Sequence, residues 1–203
     1  YPLPNSNVLN SGSSSFCHGD STILIAGEAE HFVWNNGDNS QSITVDSAGM
    51  YFVELTDSLG CTNLSDPIEI TVWDPKAEIS HEGDSIICAE ESIVLSALVA
   101  NTYLWSTGDT TQSIIVESSG VYVVTITDLN GCFANSSPSE IIQADSLFAM
   151  ISSPSSNICV GDTIVLTSAP AFSYLWNTGE TSNSINVFSS GEYNVIVNDQ
   201  NGC

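Results

Sequence analysis

Cysteine is the residue of this 203-residue chain with the most chemistry to offer, and its spacing is regular. Cys17, Cys88 and Cys159 recur at an interval of 71 residues, and Cys61, Cys132 and Cys203 recur at the same interval. Thiols placed two to a repeat can form disulfides, which suit small modules that bury little core and mature outside the cytoplasm. They do not read as a zinc site, because the paired-ligand spacing is missing and His18, His31 and His81 do not recur with them.

Carboxylates are the second resource. Asp and Glu total 24 against a single basic residue, Lys76, giving a formal charge of -23. Such a field repels nucleic acid and anionic membrane, so neither is expected as a partner. Hydrophobic residues make up 42% of the chain, which excludes an acidic disordered tail. Asp57, Asp128 and Asp199 recur, but each opens an Asp-x-x-Gly turn, where the carboxylate is expected to bond the turn backbone. With no arginine and no recurring histidine, an enzyme is not expected. Calcium is the one ion for which the sequence makes a case. Asp38, Asp109 and Glu180 follow the same strand at the pole facing the Asp128 or Asp199 turn of the next module, so hard oxygens from two modules would stiffen a joint. A solvated acidic turn is the alternative, and no cofactor is expected.

The elements that must position these groups share the period. Trp34, Trp105 and Trp176 recur with the cysteines, as do Tyr51, Tyr122 and Tyr193, so one unit is copied in tandem. In the middle repeat Ile93, Leu95 and Ala97 alternate with polar neighbours, as do Tyr103 and Trp105, Ile114 and Val116, and Tyr122, Val124 and Ile126. This period of two predicts short strands of an all-β, antiparallel sandwich of the immunoglobulin-like kind. Strand A is expected near 77–87, B at 92–99, C at 102–106, E at 113–117, F at 121–127 and G at 133–143. Gly120-Val121-Tyr122 has the form of a tyrosine corner, and the tryptophans belong to the core. Module boundaries fall at 1–74, 75–145 and 146–203, with the short linker Trp73-Asp74-Pro75-Lys76 holding neighbours close. Tyr1 aligns with Val72 and the third copy stops before its last strand, so the chain is expected to be a window of a longer array.

The run Tyr103-Leu104-Trp105-Ser106-Thr107-Gly108-Asp109-Thr110-Thr111-Gln112-Ser113-Ile114, continuing through Gly120-Val121-Tyr122 to Asp128-Leu129-Asn130-Gly131-Cys132, resembles the Ig-like and PKD-like repeats of secreted Bacteroidota proteins. It is especially similar to repeats of SprB-type gliding-motility adhesins. All three repeats share the likeness, including the Cys-x-Gly-Asp opening at Cys17 and Cys159; the middle repeat departs at Ala89-Glu90, where glycine is expected. The resemblance implies type IX export and display on the cell surface. It also gives meaning to Asp-Ser/Thr followed by Ala, Ile, Leu, Val, Met or Thr, which is similar to the Bacteroidota O-glycosylation acceptor. That pattern occurs at Ser21, Ser47, Ser58, Ser85, Thr110, Ser146 and Thr163, after seven of the twelve aspartates. All seven fall in expected turns or linkers.

Sandwich geometry bears on how the cysteines pair. The first cysteine of a repeat lies at the A-to-B turn and the second just after the F-to-G turn, at opposite poles. A seven-residue strand separates the poles by about 20 Å, whereas a disulfide needs Cα atoms within ~7 Å. Cys17 to Cys132 and Cys88 to Cys203 are therefore favoured over pairing within a repeat, with Cys61 and Cys159 reaching modules outside this stretch. The expected function is the shaft of a secreted surface adhesin or extracellular filament. Its partners are adjacent modules, neighbouring copies in a fibre and surface polysaccharide; the alternative is a carbohydrate-binding or accessory spacer module of a secreted hydrolase.

Overall fold

Residues 3–203 are described by a computed structural model. In the first repeat lie β1 (Val8–Asn10), β2 (Ser15–Cys17), β3 (Thr22–Ala26), β4 (His31–Trp34), β5 (Ser42–Val45), β6 (Gly49–Tyr51), β7 (Val53–Thr56), β8 (Thr62–Leu64) and β9 (Ile68–Trp73). The second repeats the set as β10 (Ile79–His81), β11 (Ile86–Ile87), β12 (Ile93–Ala97), β13 (Thr102–Trp105), β14 (Ser113–Val116), β15 (Gly120–Tyr122), β16 (Val124–Thr127), β17 (Phe133–Asn135) and β18 (Ser139–Gln143). The third contributes β19 (Ile151–Ser152), β20 (Ile164–Ser168), β21 (Ser173–Trp176), β22 (Ser184–Val187) and β23 (Val195–Asn198). Strands β3, β12 and β20 begin at positions 22, 93 and 164, the same step that separates the cysteines.

Alternation decides which side of each strand is covered. Leu24 and Ala26 of β3 are buried while Ile23 is exposed, and the partner strand β5 buries Ile43 and Val45. In the first repeat β1-β3-β5 form one antiparallel sheet and β4-β7-β8 another. These are the A-B-E and C-F-G sheets of an immunoglobulin-like sandwich, so the expected fold class holds. Their shared core is Leu24, Ala26, Trp34, Ile43, Val45, Val53, Leu55 and Ile70. A fully buried aliphatic side chain contributes about 1.5–3 kcal/mol, so this small cluster dominates the module's stability.

Three expected strands differ from the structure, because A, F and G are each broken in two. Strand A divides into β10 and β11 around Gly83, which takes φ 84. Strand F divides at Val123, whose N–H leaves the ladder for the Ser106 hydroxyl at 3.3 Å. Strand G divides at Pro138, which has no N–H to offer. The second halves of A and G join the first half of F in a further sheet, in which β18 runs parallel to β11 and antiparallel to β15. In the first repeat β9 does the same between β2 and β6. By density of contacts the chain divides into two compact units. One takes residues up to Ile79 with Ser96–Gln112 and Val123–Ser137, and the other takes Ser80–Leu95, Ser113–Tyr122 and Pro138–Cys203. The division runs through the middle repeat.

Candidate functional site

Each second cysteine is held by the aspartate four residues before it. Asp128 donates its N–H to the Cys132 carbonyl at 2.8 Å, and its Oδ1 accepts the N–H groups of Cys132 at 2.9 Å and Asn130 at 2.8 Å. Gly131 closes the turn with φ 86. The same clamp holds Cys61 on Asp57 at 2.8 Å and Cys203 on Asp199 at 2.9 Å. Partial burial pulls the Asp199 carboxyl up, but the N–H donors of Cys203, Asn201 and Gly202 outweigh it and hold its pKa below the ordinary value.

The first cysteine of each repeat opens a different turn. The N–H groups of Asp20, Glu91 and Asp162 donate to the carbonyls of Cys17, Cys88 and Cys159 at 3.0, 3.1 and 3.0 Å. Gly19 and Gly161 sit at φ 94 in these turns. Glu90 occupies the equivalent place at φ 69, and among the described residues it is the one non-glycine there. This is the position where the sequence departs from the Cys-x-Gly-Asp pattern. The structure brings Cys17 to Cys132 and Cys88 to Cys203 as disulfides, both with Cα atoms 5.4 Å apart and a sequence separation of 115. Cys61 and Cys159 are thiols.

The recurring aromatics build the modules that carry these turns. Trp34, Trp105 and Trp176 are buried, and each indole Nε1–H donates at 2.8 Å to a turn carbonyl, of Ser40, Thr111 and Ser182 respectively. They offer no flat face to a sugar. Tyr51, Tyr122 and Tyr193 donate their hydroxyls to the carbonyls of Ser47, Ser118 and Ser189, four residues back, which is tyrosine-corner geometry. Tyr122 is buried, whereas Tyr51 and Tyr193 are half-buried.

The acidic turns bond within themselves. Asp38 accepts the Ser40 N–H at 2.7 Å, and that bond holds its pKa below the ordinary value. Asp109 accepts the Thr107 hydroxyl at 2.6 Å. Asp128 and Asp199 are engaged in the cysteine clamps described above. Among the described residues no three His, Cys, Asp or Glu side chains are grouped to hold a metal ion. The linker carboxylate Asp74 pairs with Lys76. Ser21, Ser47, Ser58, Ser85, Thr110, Ser146 and Thr163 are all exposed and lie outside strands. The sequence reading missed Ser65 and Ser136, two buried hydroxyls that accept the N–H groups of Val53 and Val124 at 3.0 and 3.1 Å. Their spacing by the common period was the available signal.

No protein-family profile matches the chain, and no curated protein matches its sequence. Among solved structures it is similar to the three N-terminal domains of the bacteriophage RB49 highly immunogenic outer capsid protein, at 18% identity and a TM-score of 0.38, covering 94% of this chain and 81% of that one. It is also similar to murine CEACAM1b, at 10% identity and a TM-score of 0.31, covering 68% of this chain and 100% of that one. A third is the N-terminal four Ig domains of Dscam1, at 14% identity and a TM-score of 0.27, covering 100% of this chain and 71% of that one. At these values the likenesses add nothing to what the order of the sheets already shows.

Proposed function

We propose that this chain is a length of the shaft of a secreted, surface-attached adhesin or extracellular filament. In this reading it belongs to a gliding or attached Bacteroidota cell, is exported by the type IX system, and is divided into modules at 1–74, 75–145 and 146–203. The observation that carries the reading is that both disulfides join one repeat to the next. A bridge within a module stabilises that module; a bridge between modules fixes a joint. The role is mechanical and needs no cofactor: adjacent repeats are each other's partners, with neighbouring copies or surface polysaccharide beyond them. Sugar on Ser21, Ser47, Ser58, Ser85, Thr110, Ser146 and Thr163 would coat the turns against proteases. Buried tryptophans argue against the carbohydrate-binding alternative, which needs exposed aromatic platforms. Labelling of intact native cells with an antibody to this chain, before and after surface proteolysis, tests the reading. Surface signal lost on proteolysis is expected, and signal only after lysis defeats it.

A further inference from the structure

The linker after the second repeat keeps the aspartate of the first linker and loses its cation. Trp73-Asp74-Pro75-Lys76 becomes Ala144-Asp145-Ser146-Leu147 one period later, so a bulky ring and the single lysine are both replaced. In the first linker the Lys76 ammonium pairs with Asp74, and that bond is the main cause holding the Asp74 pKa below its ordinary value. In the second linker the Asp145 carboxylate is exposed, and no group among the described residues pairs with it.

Beside Asp145 the chain leaves an open cavity of about 550 Å³, lined by Ala144, Asp145 and Leu147 of the linker, Ala171 and Phe172 ahead of β21, and Asp199 of the cysteine clamp. All of these belong to one compact unit. Phe172 is 74% exposed and stands where the middle repeat has Asn101. Asp199 accepts only neutral donors, the N–H groups of Cys203 and Asn201 and the Asn201 side-chain amide at 3.1 Å, so it keeps its negative charge. The strand that follows a clamp does not close this place. In the first two repeats it runs back along the preceding strand, Thr62 opposite Thr56 and Phe133 opposite Thr127. With β17 present, the middle repeat still has a cavity of about 460 Å³ at the equivalent residues 99–101 and 128–130.

We infer that the cavity beside Asp145 binds an alkylammonium group, the chemistry shared by a free amine and a lysine side chain. The ammonium sits between Asp145 and Asp199, in a field that the formal charge of -23 makes attractive to cations. Its alkyl stem lies on Leu147 and on the face of Phe172, whose ring quadrupole also draws the cation. Carboxylates alone would hold any cation; the apolar wall beside them selects an organic one. The inference holds whether or not the chain is a shaft.

Titrating the full chain, both disulfides formed, with n-butylammonium at low ionic strength while following amide chemical shifts tests it. Saturable shifts confined to 144–147, 171–172 and 199–201 are expected, and n-butanol should produce none. Asp145→Asn and Phe172→Ala should each weaken binding by roughly threefold to tenfold. Leu147→Lys, which gives the second linker the cation of the first, should abolish it. Nα-acetyl-lysine amide separates the sources: binding equal to that of n-butylammonium assigns the site to a lysine side chain, and binding of n-butylammonium alone assigns it to a free amine. Shifts spread over the acidic turns of all three repeats would mean a counter-ion atmosphere only and overturn the inference. An equal response to n-butanol, or parent-like binding by Leu147→Lys, would overturn it as well.

Discussion

Glu90 holds a left-handed backbone that L side chains other than Asn and Asp rarely adopt, at a turn where its two counterparts are glycine. Glu90→Gly is therefore expected to stabilise the chain by about 0.5–1 kcal/mol, read as a higher urea midpoint at unchanged slope. Trp105→Ala should cost roughly 3–5 kcal/mol, because it removes both a buried side chain and the latch on the Thr111 carbonyl. Acid acts through the cysteine clamp. The Asp199 pKa lies below its ordinary value of 3.8, so its contribution is fully present above that value and is lost as pH falls through the folded pKa. Thermal midpoints followed from pH 5 down to pH 2 should fall less steeply at the acid end for Asp199→Ala than for the parent. Mass analysis of native material should find sugar on several of Ser21, Ser47, Ser58, Ser85, Thr110, Ser146 and Thr163, and bare peptides at all seven would remove that part of the proposal. The burial of the tryptophans was legible in their alternation with polar neighbours. The tyrosines' partial exposure was not, since a hydroxyl's acceptor four residues back depends on the turn's path and not on the period of two.

At the scale of the element, the strands were placed by period and their interruptions were not. Residues 133–143 read as one strand although only the pairs Phe133-Ala134 and Ile141-Ile142 at its two ends are apolar. Pro138 was the visible warning, and Ser136 is what makes the break tolerable: its buried hydroxyl accepts the Val124 N–H, and its own N–H donates to the Val124 carbonyl. Ser136→Ala leaves a buried N–H without a partner and should cost about 1–3 kcal/mol by denaturant unfolding, while Ser137→Ala, on the exposed neighbour, should cost little. Breaks of this kind depend on which sheet receives the second half of a strand. That is a tertiary matter, so the sequence pattern does not record it.

At the scale of the whole chain, each disulfide closes a loop of sequence separation 115. In the chain-entropy account such a loop stabilises the fold by roughly 4–5 kcal/mol against its unfolded state. Changing Cys17 and Cys132 to serine together should lower stability by that order, and changing Cys61 and Cys159 to serine should leave it nearly unaltered; guanidinium unfolding of the two double variants compares them directly. The two loops also interlock, since residues 88–132 belong to both. If the oxidised chain is pulled between residues 17 and 203, the bridges reduce it to three rails in parallel, 17–88, 88–132 and 132–203, with the middle one run backwards. The shortest rail, 88–132, spans at most about 150 Å, whereas the same two ends of the reduced chain can separate by about 630 Å. Tension beyond that span falls on the middle segment while the outer two stay slack. A chain wired in this way has a built-in stop on its extension, set by where two sulfur bridges cross and not by how firmly any one repeat is folded.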